Sequence, residues 1–284
     1  MNGPSPAPRA ATIHIGEDMV VSRMGFGARW IAECGPEDAR ALLARALELG
    51  VDFIDTADVY GDGRSEEVLR EVLHPYPSQV VIATKGGQIK TDAGPRPNGR
   101  PEHLRSACEA SLRRLAVDAI DLYQLHSPDP DVPIEESMGA LEELRNAGKV
   151  RQVGVSNLFR ARLSAAASIS SIATVQNLYS IADRTNDPDV DWCQENGTAF
   201  VPYFPLGAGS LAAVGGAVAT VAQKHHATPA QVSLAWLLHR SNSILPIPGT
   251  RSVEHLEENV MATSLALTAD DRALLESKEA SEDS

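Results

Sequence analysis

The chain has 284 residues, 43% of them hydrophobic, enough to bury one large core and an ordinary length for a single α/β barrel. Lys and Arg total 25 against 38 Asp and Glu, a formal charge of −13. That excess argues against a nucleic-acid or anionic-membrane partner, since phosphate binding needs a basic face, while leaving room for a small local basic site.

Cys34, Cys108 and Cys193 lie far apart and form no CxxC pair, so they read as reduced thiols rather than a disulfide framework or zinc cluster. The first eleven residues are rich in Pro, Ala and Ser and lack the apolar core of a signal peptide. The least polar later run, residues 211–222, is too short to span a bilayer. These features predict a cytoplasmic protein with a single domain over residues 1–284, of which 1–11 and 276–284 are flexible tails.

In chain order, residues 12–15 and 19–21 flank Gly16-Glu17-Asp18 and predict a hairpin placed to cover the bottom of a barrel. Residues 24–27 form a first short strand with a Gly-rich exit. An amphipathic helix over residues 36–49 puts Ala39, Leu42, Leu43, Ala46 and Leu49 on one face, with Gly50 as its C-cap. Strand and helix then alternate. Strands fall at residues 53–55, 80–84, 120–125, 150–155, 173–176, 199–203 and 244–247. Helices fall between them at 65–73, 101–115, 134–147, 160–167, 189–195, 217–225 and 229–239, with a last pair at 253–261 and 269–278. Eight strand-helix units with short, doubly buried strands predict a (β/α)8 TIM barrel, with the N-terminal hairpin below and extra C-terminal helices. A doubly wound sheet competes, but no GxGxxG follows the first strand.

In such a barrel the functional face is the C-terminal one. Successive strand ends there carry Asp55 with Tyr60 on the following loop, then Lys85, then His126. A carbonyl that accepts a hydride leaves an alkoxide, which must be protonated as it forms. A free phenol, with a pKa of about 10, is a poor acid at neutral pH. A nearby ammonium corrects this, a carboxylate anchors the ammonium, and an imidazole orients the carbonyl oxygen. The pattern assigns Tyr60 as acid, Lys85 as its tuner, Asp55 as the lysine's anchor and His126 as orienter. Each has a plainer reading by itself: a solvated strand-end lysine, a turn histidine, Ser156 and Asn157 as a helix cap, Gln176 and Tyr203 as rim packing. Their recurrence at successive strand ends favours the joint reading. His225 and His226 point apart on a helix and do not suggest a metal site.

On these residues the chain resembles the aldo-keto reductase superfamily, with some likeness to its bacterial pyridoxal-reductase-like members. Phe-Ile-Asp-Thr-Ala-Asp-Val-Tyr-Gly, Thr84-Lys85 and Tyr123-Gln124-Leu125-His126 are similar to that family's Asp-Tyr-Lys-His tetrad in order and strand context. The resemblance implies a nicotinamide-dependent reductase of an aldehyde or ketone, a small-molecule carbonyl substrate. It also implies a cofactor site drawn from Gly27, Ala28, Ser156, Asn157, Gln176, Tyr203, Phe204, Leu206, Gly249, Thr250, Arg251, Glu258 and Asn259. Trp30, on the loop after the first strand, is implied as a wall of the substrate pocket. Many members carry a lysine where Gly249 stands and an arginine where His255 stands, both facing the 2′-phosphate of NADP. Arg251 lies close by and its planar fork suits a phosphate, so NADPH is expected over NADH. The loop from Gly207 is short, which suggests an open mouth. Two other readings stay open, a Schiff-base lyase built on Lys85 and a slow nicotinamide-binding sensor subunit. A monomer or small homo-oligomer is compatible with either.

Overall fold

Residues 11–91, 93–207 and 216–277 are described by the computed structural model. A hairpin of β1 (Thr12–Ile15) and β2 (Met19–Ser22) opens the chain, each strand burying alternate residues. After it come β3 (Phe26–Gly27), β4 (Phe53–Asp55) and β5 (Val81–Gly86). A second hairpin, β6 (Gln88–Thr91) with β7 (Gly94–Pro97), rises from the end of β5. The remaining strands are β8 (Ile120–Leu125), β9 (Val150–Ser156), β10 (Ile172–Gln176) and β11 (Ala199–Phe200).

Seven of these make one parallel sheet in the order β11-β10-β9-β8-β5-β4-β3. The sheet closes on itself through residues 243–248, the eighth position of the (β/α)8 barrel. Phe200 N–H donates to the Ser243 carbonyl at 2.7 Å and Leu245 N–H to the Phe200 carbonyl at 2.9 Å. On the other side Gly25 and Gly27 donate to the carbonyls of Pro246 and Pro248 at 2.9 and 3.3 Å. The sequence predicts a regular strand over residues 244–247, but both residues turned toward β3 are prolines. They accept and cannot donate, so the ladder there has half its bonds. Pro202 likewise ends β11 earlier than the expected residue 203, with Tyr203 left in a single bridge to Leu178.

The helices α1 (Pro36–Glu48), α2 (Arg64–Leu73), α3 (Pro101–Leu115), α4 (Ile134–Asn146), α5 (Arg160–Ala167) and α6 (Asp187–Asn196) lie between strands. They are followed by α7 (Ala217–His225), α8 (Pro229–Arg240), α9 (Val253–Met261) and α10 (Ala269–Glu276). Their starts follow local chemistry. Proline stands in the first turn of α1, α3, α6 and α8, and Thr228 and Thr268 close capping boxes with Gln231 and Asp271. Three residues expected in the tails belong to the fold instead. Ala11 accepts from Arg23 N–H at 2.9 Å, lengthening the hairpin, and Glu276 ends α10 because the Thr268 box nucleates that helix. The third, Ser277, caps α10 by donating its N–H to the Ala273 carbonyl at 2.9 Å. The rest of both tails, and most of the loop after Gly207, lie outside the described residues.

Strand alternation divides the core in two. Phe53, Val81, Ala83, Leu122 and Ala199 point into the barrel and meet Ile13, Ile15, Met19 and Val21 of the hairpin in one cluster. Ile54, Ile82, Tyr123 and Val155 point outward into the larger cluster beneath the helices. The hairpin therefore plugs the end where the strands begin and leaves the other end for polar side chains. Among the described residues no helix is long and apolar enough to cross a membrane.

Candidate active site

One step above the apolar layer the inward positions turn polar. Lys85 pairs in register with Gln124, Gln124 with Gly154, and Gly154 with Thr174. Gly154 has a steric reason: a Cβ there would come within 2.2 Å of Thr174 Oγ1 and 2.9 Å of Gln124 Cγ. The space it leaves lets Thr174 donate to Gln124 Oε1 at 3.0 Å. Gln124 and Gln176 then both donate to Asp55 Oδ1, at 3.2 and 2.9 Å. Lys85 Nζ donates to Asp55 Oδ2 at 2.6 Å and to the Thr56 carbonyl at 2.7 Å.

The Asp55–Lys85 pair is almost wholly buried. Two charges removed from water are tolerated only when each is fully hydrogen-bonded, and here both carboxylate oxygens and at least two of the three ammonium protons are engaged. Burial pushes the Lys85 ammonium down. The charge of Asp55, then that of Tyr60, and hydrogen bonds to both outweigh it and hold the pKa above its ordinary value. The charged form of Lys85 is thus favoured, 5.1 Å from the centre of the Tyr60 ring.

The loop that carries Tyr60 is an extension of the sheet. Thr56 N–H donates to Ala83 and Asp58 N–H to Lys85, at 2.8 and 3.2 Å. Thr56 Oγ1 bonds Ser65 Oγ at 2.7 Å, and Ser65 donates in turn to the Ala28 carbonyl at 2.9 Å. Outside the barrel, buried Glu66 accepts from Thr84 Oγ1 and from Arg114 Nε, both at 2.6 Å, tying α2 to β5 and α3. Tyr60 is fixed from both ends, and its ring meets that of His126 edge-on with centroids 5.9 Å apart.

Burial, with help from the charges of Lys85 and Arg29, drives the His126 pKa well below its ordinary value. The imidazole is neutral, and its Nδ1 is buried without a partner. An orphaned N–H is rarer than an orphaned acceptor, so the tautomer protonated at Nε2 fits this site better. Asp58, on the same loop as Tyr60, faces a separate pocket that His103 and Arg114 also line. Burial first, then the charge of Glu66, push its pKa up to about 7, and its Oδ1 also lacks a partner.

The strand ends border a cavity of about 780 Å³, within the range of small-molecule sites. Asp55, Tyr60 and His126 line it, while Lys85 stands behind them, fully buried. Gly27 and Gly249 face each other at one wall, where a Cβ on either would press on backbone, Ile247 O at 2.7 Å or Gly27 O at 2.8 Å. On the opposite side Asn157, in a left-handed conformation at φ 56°, donates to the His126 carbonyl at 2.9 Å and accepts from the Tyr203 hydroxyl at 2.8 Å. Phe204, also left-handed at φ 50°, turns its ring into the mouth beside Tyr203. Non-glycine residues held in that region store strain and cluster at functional sites.

Of the expected cofactor residues, Gly27, Ser156, Asn157, Gln176, Tyr203, Phe204, Leu206 and Gly249 line this cavity, as does Trp30. Ala28 is buried beneath it, and Thr250, Arg251, Glu258 and Asn259 lie beyond its wall on the segment leading through α9. Arg251 pairs with Glu33 at 3.2 Å. The backbone approach at Gly27 and Gly249, the paired amides and the flat aromatic faces fit a nicotinamide nucleotide. Sequence reading passed over Gln124, Asp58 and Arg29, along with the β6–β7 hairpin that lends Gln88 and Pro95 to the cavity. The alternation Leu122-Tyr123-Gln124 was the available signal for Gln124. The other residues carry none.

A parallel barrel with an ammonium, carboxylate, phenol and imidazole around one cavity defines an oxidoreductase site rather than a binding module. The chain belongs to the aldo/keto reductase family, whose model matches residues 19–280. It is an NAD(P)H-dependent aldo-keto oxidoreductase. It is 41% identical to an uncharacterised oxidoreductase of Schizosaccharomyces pombe, over 98% of this chain and 92% of that one. It is 40% identical to a pyridoxine 4-dehydrogenase of Escherichia coli, over 87% of this chain and 91% of the relative. Among solved structures, an aldo-keto reductase from Klebsiella pneumoniae in complex with NADPH superposes with a TM-score of 0.81 at 30% identity, covering 94% of both chains.

Proposed function

We propose that the protein is an NADPH-dependent reductase of a conjugated ring aldehyde of the pyridoxal type, with Tyr60 as the general acid. The observation that carries this reading is the buried Asp55–Lys85 pair directed at Tyr60. Bound in the cavity, the reduced nicotinamide supplies a hydride to the carbonyl carbon. Tyr60 gives its hydroxyl proton to the carbonyl oxygen as negative charge gathers there. Lys85 stabilises the phenolate left behind, and Asp55 keeps the ammonium from turning away. Neutral His126 donates from Nε2 to the same oxygen and orients it. Asn157 and Gln176 offer amides to the nicotinamide carboxamide, and the Tyr203 ring offers it a flat face.

A Schiff-base role for Lys85 is disfavoured on this geometry, since that chemistry needs a neutral amine and Lys85 is held charged. The likeness to a pyridoxine 4-dehydrogenase supports a ring aldehyde as substrate. The exposed Arg251 guanidinium supports NADPH, because a phosphate can displace Glu33 from it.

The test is a panel of pyridoxal, benzaldehyde and simple ketones with each reduced cofactor, followed at the nicotinamide absorbance band. The reading expects carbonyl-dependent oxidation of NADPH, fastest with ring aldehydes and weaker with NADH. Absence of turnover on every aldehyde, with NADPH bound, would overturn it.

A further inference from the structure

Beyond the influence of its charge on His126, the chemistry above leaves Arg29 without a task. It is the second residue of the 3-10 turn Ala28–Glu33, and Ser65 anchors that turn through the Ala28 carbonyl at 2.9 Å. Its guanidinium carbon lies 5.0 Å from the centroid of the Trp30 ring and 5.8 Å from those of both Tyr60 and Phe204. Three rings around one cation attract it and hold its fork in place. The residue borders the cavity and is exposed to solvent. Among the described residues no carboxylate pairs with it and no acceptor takes its N–H groups. Both carboxylates on the same cavity are already engaged, Asp55 by Lys85 and Glu33 by Arg251. A cation with five free donors, pre-positioned over the ring of the acid Tyr60, is a receptor for an anion.

We propose that Arg29 is the specificity residue of this reductase and binds an anionic group of the substrate, a carboxylate or a phosphate. The preferred substrates then carry that group across a ring or short chain from the reacting carbonyl. The inference rests on the reading of Tyr60 as the group that meets the carbonyl oxygen, because the position of Arg29 over that ring sets the spacing. Stacking on three rings lowers the ordering cost of the side chain on binding. Solvent exposure keeps the gain modest and sensitive to salt.

The experiment compares kcat/KM for two matched pairs, benzaldehyde with para-carboxybenzaldehyde and pyridoxal with its phosphate ester. It uses the wild type, Arg29→Gln and Arg29→Lys at low and high salt. The charged member is expected to lead by about 10-fold in the wild type, less at high salt. That ratio should fall to near parity in Arg29→Gln and be partly kept in Arg29→Lys. The two pairs separate a carboxylate receptor from a phosphate receptor. Because the readout is a ratio, general damage to the site cancels. Calorimetric binding of para-(hydroxymethyl)benzoate against benzyl alcohol gives the same comparison without turnover.

A ratio unchanged by Arg29→Gln would overturn the assignment. So would an equal loss on both members accompanied by weaker NADPH binding, which would place Arg29 on the cofactor. If the wild type reduces none of the four aldehydes, the proposed function fails, and the calorimetric comparison still decides Arg29.

Discussion

At the lower end of the barrel, Ile13, Ile15, Met19 and Val21 close over Phe53, Val81 and Leu122 in an apolar cluster. At the upper end the same strands carry Asp55, Lys85 and Gln124 in a buried polar layer, under a cavity rimmed by His126, Asn157 and Phe204. The lower end satisfies itself. Its charges, such as Arg151 with Asp18 and Asp121, pair at the surface at 3.1 and 3.0 Å. The upper end holds groups that the chain leaves unfinished, an imidazole nitrogen and a carboxyl oxygen without partners and two residues in left-handed strain. A fold that spends stability at one end and stores it at the other separates folding from chemistry along one axis.

The largest effect expected on stability lies in the polar layer. Lys85→Met leaves Asp55 buried with only two amides, and breaking such a pair costs roughly 3–5 kcal/mol. Denaturant unfolding should show that loss together with a collapse of turnover. Ile15→Ala sharpens the contrast from the other end. Deleting a fully buried side chain from the plug should cost about 2–4 kcal/mol, with the turnover of the remaining folded molecules unchanged. A hairpin variant that altered kcat as the mouth variants do would break the division between the two ends.

Asp58 gives a smaller effect with a distinctive sign. Its folded pKa, about 7, lies above the unfolded value of 3.8. The folded state therefore holds a proton that the unfolded chain gives up. The associated stability is complete below about pH 4 and is lost as pH rises through 7. Relative to Asp58→Asn, the wild type should lose roughly 2 kcal/mol between pH 5 and 8. Chemical unfolding at the two values checks it, and a constant difference would show that Asp58 ionises normally.

Much of this was legible in the sequence because barrel strands are short apolar runs and barrel helices bury residues three and four apart. The run of residues 53–55 ending in an acid, and α1 with Ala39, Leu42, Leu43 and Ala46, need no tertiary information. The closing segment was legible only in part, since Pro246 and Pro248 remove donors that the pattern of apolar residues takes for granted. The hairpin of β6 and β7 was hidden because its second strand holds Pro95 and Pro97, which cannot donate and do not signal a strand, although an isolated pair of edge strands accepts them. Within the site, Asp55, Tyr60, Lys85 and His126 stood out through residue type and strand position. Gln124 required knowing which face of β8 turns inward. Arg29 and Asp58 could not be found from type and spacing, because the significance of Arg29 lies in having no carboxylate partner and that of Asp58 in an unpaired Oδ1, and both depend on the tertiary fold.

The central claim is that Tyr60 hands a proton to the carbonyl oxygen under the influence of Lys85. Single-turnover stopped flow with saturating NADPH and a ring aldehyde, comparing wild type with Tyr60→Phe, tests it most directly. The account predicts a fall of about 10²–10⁴ in the rate of nicotinamide oxidation, with NADPH affinity and thermal stability essentially retained. A Tyr60→Phe enzyme that turned over within a few-fold of wild type would contradict it.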